Sequence, residues 1–150
     1  MAYEVRCERV AARQLAAARG ESATHRELGA RIIGLLDQVW PVVRQQGVRT
    51  GHNVVVYFGG SPLRFAAGVE VFTPFAATDI VQPLATAAGE VATTAHWGAY
   101  AQMHGAYEAI ERWFATHDRH PAGVSWEVYG DTHDDPAQIR TDVFFLLAPS

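Results

Sequence analysis

The stretch Val124-Ser125-Trp126-Glu127-Val128-Tyr129 is the part of the chain that best defines its fold. It is rich in aromatic and β-branched residues and is bounded by glycine on both sides, which predicts a β-strand. Alternation along a strand places Trp126 and Val128 on one face and Glu127 and Tyr129 on the other. A carboxylate beside a tyrosine indicates either a ligand-facing surface or an outer sheet face on which Glu127 points to bulk water. The local sequence leaves both interpretations open.

The composition is that of an ordinary globular protein. The chain has 150 residues, of which 49% are hydrophobic and 19% charged, which fits one domain or two small halves that share a core. The net charge is −4, and the basic residues form no stripe or tail, so we expect no nucleic-acid binding by this chain alone. The single Cys7 excludes an internal disulfide and fits a reducing compartment.

The sequence predicts neither a signal peptide nor a membrane span. The N-terminus holds charged residues where a signal peptide needs an apolar core. No apolar run approaches the roughly 20 residues that cross a bilayer. We therefore expect a soluble, cytoplasmic protein that does not enter a membrane.

In the first half of the chain the periodicity predicts three strands and one helix. The strands span 3–10, 52–58 and 65–72, and residues 73–89 form a long connection. Residues 11–20 are rich in alanine and fit either a short helical turn or a connecting loop. Thr24 and Glu27 form a capping box at the start of the helix. Pro41 should kink this helix or end its regular part, and Gly47 stops the segment.

The second half repeats the same order of strand, helix, strand and strand. Its elements are a strand from 90 that continues across Gly98 to 102, a helix over 103–117, strand 124–129, a polar loop and strand 141–147. When the halves are aligned, Tyr57 corresponds to Tyr129, whereas Glu127 takes the position of Val55. The duplication is therefore broken at the carboxylate. A single glutamate in an otherwise apolar, symmetric cleft indicates a site as much as a surface decoration.

This duplication predicts an α+β fold. It consists of two pseudo-symmetric βαββ repeats that form an antiparallel sheet, with two helices on one face and a concave opposite face around a central ligand cleft. We expect a single domain over residues 1–150, with repeat one at about 1–75, a linker at 76–89 and repeat two at about 90–150.

Five motifs follow one another in the second half. They are Trp97-Gly98-Ala99-Tyr100-Ala101, His104-Gly105-Ala106-Tyr107-Glu108, Trp113, Trp126-Glu127-Val128-Tyr129 and Ile139-Arg140-Thr141-Asp142-Val143. In this order they resemble the GyrI-like small-molecule-binding domain, the effector-binding domain of AraC-type and MerR-type multidrug regulators, which has a SOUL-like duplicated fold. The resemblance spans nearly the whole chain. It departs from the family at His96 and at His104-Gly105-Ala106, two turns where the family usually has proline.

The resemblance implies a cleft for bulky, flat and often cationic hydrophobic compounds, with Glu127 as the acidic anchor. Aromatic walls attract a cation by about 0.5–2 kcal/mol each, and the carboxylate selects cations over anions. The residues expected to contact the ligand are Glu127, Tyr129, Tyr57, Val55, Trp97, Tyr100 and Phe72. On this interpretation the chain senses or sequesters a drug-like compound.

Two alternatives remain open. Some stand-alone members of the family are implied to hydrolyse cyclopropane-bearing electrophilic natural products, in which case Glu127 with Tyr129 or Tyr57 would be catalytic and would activate water or a carbonyl. Binding alone needs the same residues. The other alternative is a protein-binding role, such as modulation of DNA gyrase. No helix-turn-helix fits before Tyr3, so we expect the chain not to be a complete regulator.

No metal or cofactor is predicted. His117 to His120 and Asp131 to Asp135 lack the flanking ligands of a zinc or calcium pattern, and no histidine stands out as a haem ligand. The expected partner is a hydrophobic or cationic small molecule, without nucleic acid or membrane. We expect a monomer or a homodimer.

Overall fold

The computed structural model describes residues 3–150, which form eight strands and two α-helices. The elements are β1 (Arg6–Val10), β2 (Gln14–Ser22), α1 (His25–Gln45), β3 (Thr50–Gly59), β4 (Leu63–Val71), β5 (Gln82–Ala85), β6 (Gly89–Trp97), α2 (His104–His117), β7 (Pro121–Tyr129) and β8 (Arg140–Leu147). Two short 3-10 helices, Tyr100–Gln102 and Pro136–Gln138, lie in the second half. The predicted α+β class is confirmed.

The chain divides into two compact units. The first unit is Ala12–Thr86, and the second consists of the N-terminal residues up to Ala11 together with Ala87–Ser150. Within the first unit the strand order is β3-β4-β2-β5, and within the second it is β1-β6-β8-β7, with antiparallel pairs throughout. The first unit is therefore one continuous stretch of sequence, whereas the second unit takes its outermost strand, β1, from a separate N-terminal stretch. In particular β1, assigned to repeat one by the sequence, pairs with β6.

The first unit packs α1 against one face of its sheet. Its buried core consists of Ala16, Ala18, Val39, Val43, Val69 and Val81. Gly68 on β4 allows a close approach to β2, because a Cβ at Gly68 would lie only 2.1 Å from the carbonyl oxygen of Ala16. The prediction of a helical turn or loop over 11–20 is wrong, since β2 is paired with β4 on one side and β5 on the other. Sheet pairing here outweighs the helical preference of alanine.

Helix α1 begins as the sequence predicts. The N–H group of Glu27 donates a hydrogen bond to the Thr24 hydroxyl at 3.4 Å. The helix continues past Pro41 to Gln45. Pro41 and Asp37, whose carbonyl loses its helical donor, are both exposed, so water can replace the missing bond. Gly47 follows the helix with a φ of +65°.

Two connections differ from the prediction. The long connection over 73–89 contains β5, a four-residue strand that Pro83 makes hard to recognise from its sequence. The strand that begins near Glu90 ends at Trp97 and does not continue to Gln102. The chain turns at Gly98, whose φ of +136° favours glycine.

The second unit packs α2 against one face of its own sheet. Its buried core consists of Ala92, Met103, Ile110, Val143 and Leu147, with Val5, Tyr107, Trp113, Phe114 and Phe145 partly buried against them. Among residues 3–150, no helix is both long and apolar enough to cross a membrane.

Candidate functional site

Strand β7 places the predicted acidic residue on the α2 side of its sheet. Glu127 lies opposite Val143 and Tyr129 lies opposite Thr141 on β8, and Val143 belongs to the core beneath α2. Because residues directly opposite one another share a face, Glu127 and Tyr129 also face α2. The predicted concave face opposite the helices is therefore not the face that carries Glu127. The strand pattern alone could not tell which of its two faces the helix covers.

The carboxylate of Glu127 is buried. Its residue is only 5% exposed, so the alternative in which it points to bulk water is wrong. Tyr129 donates its phenolic hydrogen to Oε1 at 2.5 Å, and Tyr107 donates to Oε2. A buried carboxylate needs such donors, since its desolvation would otherwise cost several kcal/mol.

Tyr107 is the site residue that the sequence did not identify. It lies on the packed face of α2, and its ring contacts Phe145 edge-on at a centroid distance of 5.8 Å. The helical pattern classed it with the core. The sequence did contain a clue to this contact. A tyrosine packed in a core needs a hydrogen-bond partner for its hydroxyl, and Glu127, a carboxylate on an otherwise apolar strand, could be that partner.

Tyr100 completes the group. It lies in the 3-10 helix between β6 and α2, and its ring meets that of Tyr129 edge-on at 5.4 Å. At 48% exposure it is the solvent-facing member. The structure thus brings together three predicted site residues, Glu127, Tyr129 and Tyr100, and adds Tyr107. These four residues are called the acidic–aromatic cluster below.

Trp97 is not part of the acidic–aromatic cluster. It pairs with Arg140 at the end of β6, and this register puts its side chain on the sheet face away from α2. The ring is 53% exposed, with the Arg140 guanidinium carbon 5.5 Å from the ring centroid. A cavity of about 340 Å³ lies here, lined by Tyr3, Glu4, Arg6, Thr94, Ala95, Trp97 and Arg140. Its arginines are already paired with acidic neighbours, Arg6 with Glu8 and Arg140 with Asp142.

The other three predicted contacts belong to the first unit. Val55 is fully buried on β3 and lies opposite Ala67, on the α1 side of the sheet. Tyr57 lies two residues further along the same face, opposite Phe65. Phe72 follows β4 and is exposed, with the Arg49 guanidinium near its ring. Their role as ligand contacts stays a prediction.

One further polar group in the second unit lies apart from the cluster. Arg119 donates to Glu90 at 2.6 Å, and this hydrogen bond lowers the pKa of Glu90 below its ordinary value of 4.5. Burial, followed by contact with Glu90, raises the pKa of the neighbouring Cys7 thiol. Within residues 3–150, no three His, Cys, Asp or Glu side chains are grouped so that they could bind a metal ion.

The fold is that of the GyrI-like small-molecule-binding domains, as the sequence motifs predicted. The chain is similar over its full length to the full length of the EcmrR C-terminal domain, with a TM-score of 0.80 and 13% identity. It matches the EcmrR chain of a complex with DNA with a TM-score of 0.79, and there it spans 58% of that chain.

Two further structures share the fold. SAV2435, solved bound to tetraphenylphosphonium, has a TM-score of 0.63 and 13% identity over 99% of this chain and 94% of its own. A hydrolase from Listeria innocua has a TM-score of 0.62 and 8% identity over 97% of this chain and 92% of its own. No protein-family model and no curated protein matches the sequence.

Proposed function

We propose that this chain binds a bulky hydrophobic cation, with Glu127 as the acidic anchor, and so senses or sequesters a drug-like compound. The observation that carries the proposal is the burial of the Glu127 carboxylate inside a group of three tyrosines. In surroundings of low dielectric constant a carboxylate attracts a cation more strongly than it does in water. Tyrosine rings add attraction through their electron-rich faces.

The geometry of the acidic–aromatic cluster fits this ligand chemistry. Tyr100 is exposed, Tyr129 is half-buried and Glu127 is buried, so aromatic surface and then negative charge follow one another from solvent inward. A ligand with flat apolar groups around a positive centre would meet these features in that order. SAV2435, which shares the fold, was solved with a compound of this kind, tetraphenylphosphonium.

The test compares two ions of nearly the same shape and opposite charge. Tetraphenylphosphonium and tetraphenylborate are titrated into the wild-type protein by isothermal calorimetry. We expect the cation to bind and the borate anion to bind far more weakly. Glu127→Gln should reduce affinity for the cation by at least about tenfold, which corresponds to about 1.4 kcal/mol.

Glu111→Gln is the matched control for this substitution. Glu111 is exposed on α2, and its replacement removes the same charge from the chain without touching the acidic–aromatic cluster. Its affinity for tetraphenylphosphonium should stay within about twofold of the wild type, because exposed charges are screened. Equal binding of both ions, or equal effects of the two substitutions, would show that Glu127 is not the anchor.

A second candidate function is hydrolysis of cyclopropane-bearing electrophiles. The observation that favours it is the contact between one carboxylate and two phenols, which places a base beside proton donors. In this reaction water adds to one cyclopropane carbon and gives a proton to Glu127. The electron pair of the broken carbon–carbon bond moves to a conjugated carbonyl and takes a proton from Tyr129, which Glu127 then reprotonates. The net change is the addition of one water molecule.

Product analysis separates the two functions. A cyclopropane-bearing alkylator is incubated with wild type, Glu127→Gln and Tyr129→Phe, and the recovered compound is examined by mass spectrometry for a gain of one water. An enzyme would form this product with the wild type and lose at least about a hundredfold in rate in Glu127→Gln. Recovery of the unchanged compound after incubation with wild type would rule out hydrolysis of that substrate class and leave binding as the function.

A further inference from the structure

His96 is a buried histidine that the acidic–aromatic cluster does not use directly. It lies on β6 and is 3% exposed. Both of its ring nitrogens are engaged: Nε2 with the carbonyl oxygen of Ala99 at 3.0 Å, and Nδ1 with the hydroxyl of Tyr3 at 2.8 Å. Because a carbonyl only accepts, Nε2 carries the hydrogen, so Nδ1 of the neutral ring accepts from Tyr3. Two hydrogen bonds therefore fix the orientation of this ring.

The bond to Ala99 anchors the segment that carries Tyr100. Ala99 is the residue immediately before the 3-10 helix Tyr100–Gln102. The turn that leads to it is also held at Gly98, whose N–H group donates to the carbonyl of Ile139 at 2.9 Å. The segment has no side-chain cap of its own, so His96 supplies the side-chain hydrogen bond that fixes its start.

Tyr100 is the member of the acidic–aromatic cluster next to this anchor, and its ring contacts Tyr129, which donates to Glu127. His96 and Tyr129 lie on either side of Thr141, on three neighbouring strands and on the same sheet face. The Thr141 hydroxyl has no hydrogen-bond partner within residues 3–150, so it does not relay a hydrogen bond across this row. The route by which His96 reaches the cluster runs through Ala99 and Tyr100.

We propose that His96 is a positioning residue for the ligand site: it holds Tyr100 against Tyr129 and thereby sets the affinity for the bound cation. The ligand part of this inference rests on the proposed function. If the bond from His96 to Ala99 is lost, the 3-10 helix is free to shift and the ring of Tyr100 leaves Tyr129. The solvent-facing aromatic wall of the site is then lost with it.

Substitution of His96 by asparagine or by glutamine tests its two hydrogen bonds one at a time. The amide nitrogen of glutamine reaches about as far from the backbone as Nε2 does, so His96→Gln can still donate to Ala99. The amide of asparagine ends near the position of Nδ1, so His96→Asn cannot reach Ala99. We expect His96→Asn to weaken tetraphenylphosphonium binding about fivefold and His96→Gln to restore most of the loss.

The decisive measurement is a double-mutant cycle with Tyr100→Ala. If His96 acts through Tyr100, the double variant His96→Asn with Tyr100→Ala binds no more weakly than Tyr100→Ala alone. Additive losses would overturn the inference, since they would mean that His96 affects binding by a separate route. Tyr3→Phe provides a milder variant that removes one hydroxyl. It should weaken binding in the same direction but by less, and an unchanged affinity in both Tyr3→Phe and His96→Asn would also overturn the inference.

A measurement without ligand keeps this inference separate from the proposed function. The chain has five tyrosines, so carbon–proton NMR spectra of ring-labelled protein give few signals to assign. In His96→Asn the signals of Tyr100 and Tyr129 should move together. If they do so and the wild type binds neither ion, the binding proposal fails and the positioning of Tyr100 by His96 stands. If the signals of Tyr100 and Tyr129 stay as in the wild type, the positioning role fails even where the cation binds.

Discussion

The two units are built to the same plan, yet among residues 3–150 only the second unit has a buried carboxylate, that of Glu127. In each unit four antiparallel strands support one helix, and the strand that follows the helix (β3 or β7) turns two equivalent residues toward it. The first unit has Val55 and Tyr57 there, and the second has Glu127 and Tyr129. Val55 is fully buried in its core. The same position of the fold can therefore be filled by an apolar side chain.

The difference shows that Glu127 is not explained by folding. Burial of a carboxylate is unfavourable unless donors replace the lost water, and a well-packed hydrophobic residue is often at least as stable in such a place. In the second unit Tyr107 on α2 and Tyr129 on β7 donate to Glu127 and offset part of this cost. The proposed role of Glu127 as a cation anchor would account for a carboxylate at this buried position.

The largest expected change in stability comes from placing a carboxylate in the first unit at the position equivalent to Glu127. Val55→Glu places a carboxylate at a fully buried position and should lower the free energy of unfolding by about 3 kcal/mol, because the charge must be desolvated. Urea denaturation measures the change. Val55→Gln is the control, since it has the same size without the charge and should cost less. Equal losses in the two variants would mean that size, not charge, distinguishes the units.

The next effect tests the donors that hold Glu127. Tyr107→Phe removes one phenolic donor and should lower the free energy of unfolding by about 2 kcal/mol, the range for a hydrogen bond to a charged group. Tyr100→Phe is the matched control, because its hydroxyl belongs to an exposed side chain; it should change stability by no more than about 0.5 kcal/mol. A Tyr107→Phe protein as stable as the wild type would show that Glu127 does not need this donor.

A smaller effect of the opposite sign is expected at Thr141. This residue is 0% exposed, and its hydroxyl lacks a hydrogen-bond partner within residues 3–150. The first unit has the apolar Phe65 at the equivalent place, opposite Tyr57. Thr141→Val keeps the shape, removes the unsatisfied group and should raise the free energy of unfolding by about 1 kcal/mol. A loss of stability in thermal denaturation would show that the hydroxyl is satisfied in solution, and Thr93→Val on the other face is a suitable comparison.

The smallest effect concerns acid stability in the second unit. Because the pKa of folded Glu90 is lowered from 4.5 by its hydrogen bond from Arg119, the unfolded state binds the proton more readily. The pair therefore stabilises the fold above pH 4.5, and this contribution is lost as the pH falls below that value. Glu90→Gln should lower the free energy of unfolding slightly at neutral pH, where the pair contributes, and should flatten the fall in stability as the pH drops below 4.5. An unchanged acid profile would contradict the assignment, and Glu111→Gln serves as the control.

The sequence predicted well those elements whose pattern is strong. The capping box at Thr24 marked the start of α1, and the aromatic, β-branched stretch 124–129 marked β7. The similarity of the two halves only suggested a duplicated fold, and the GyrI-like motifs then identified which fold it is. Glu127, Tyr129 and Tyr100 were predicted as site residues, and they do lie together.

The failures have physical causes that a single sequence does not display. Alanine in β2 has no strand preference of its own, so the strand becomes recognisable only through its pairing with β4 and β5. Strand β5 is only four residues long. Tyr107 was assigned to the core because its ring does pack there; only the position of its hydroxyl relative to Glu127 shows the second role. These features depend on contacts between segments that are distant along the chain.

The pairing of β1 with β6 has a consequence for how the chain folds during synthesis. Arg6 on β1 pairs with Thr93 on β6, so β1 leaves the ribosome well before the strand with which it pairs. The first unit, by contrast, has all its strands once β5 has emerged. Long-range pairing of this kind slows folding, because the entropy of closing a long loop is lost before any contact between the strands forms. During synthesis the first unit can therefore form while the backbone N–H and C=O groups of β1 still lack the β6 strand that will pair with them.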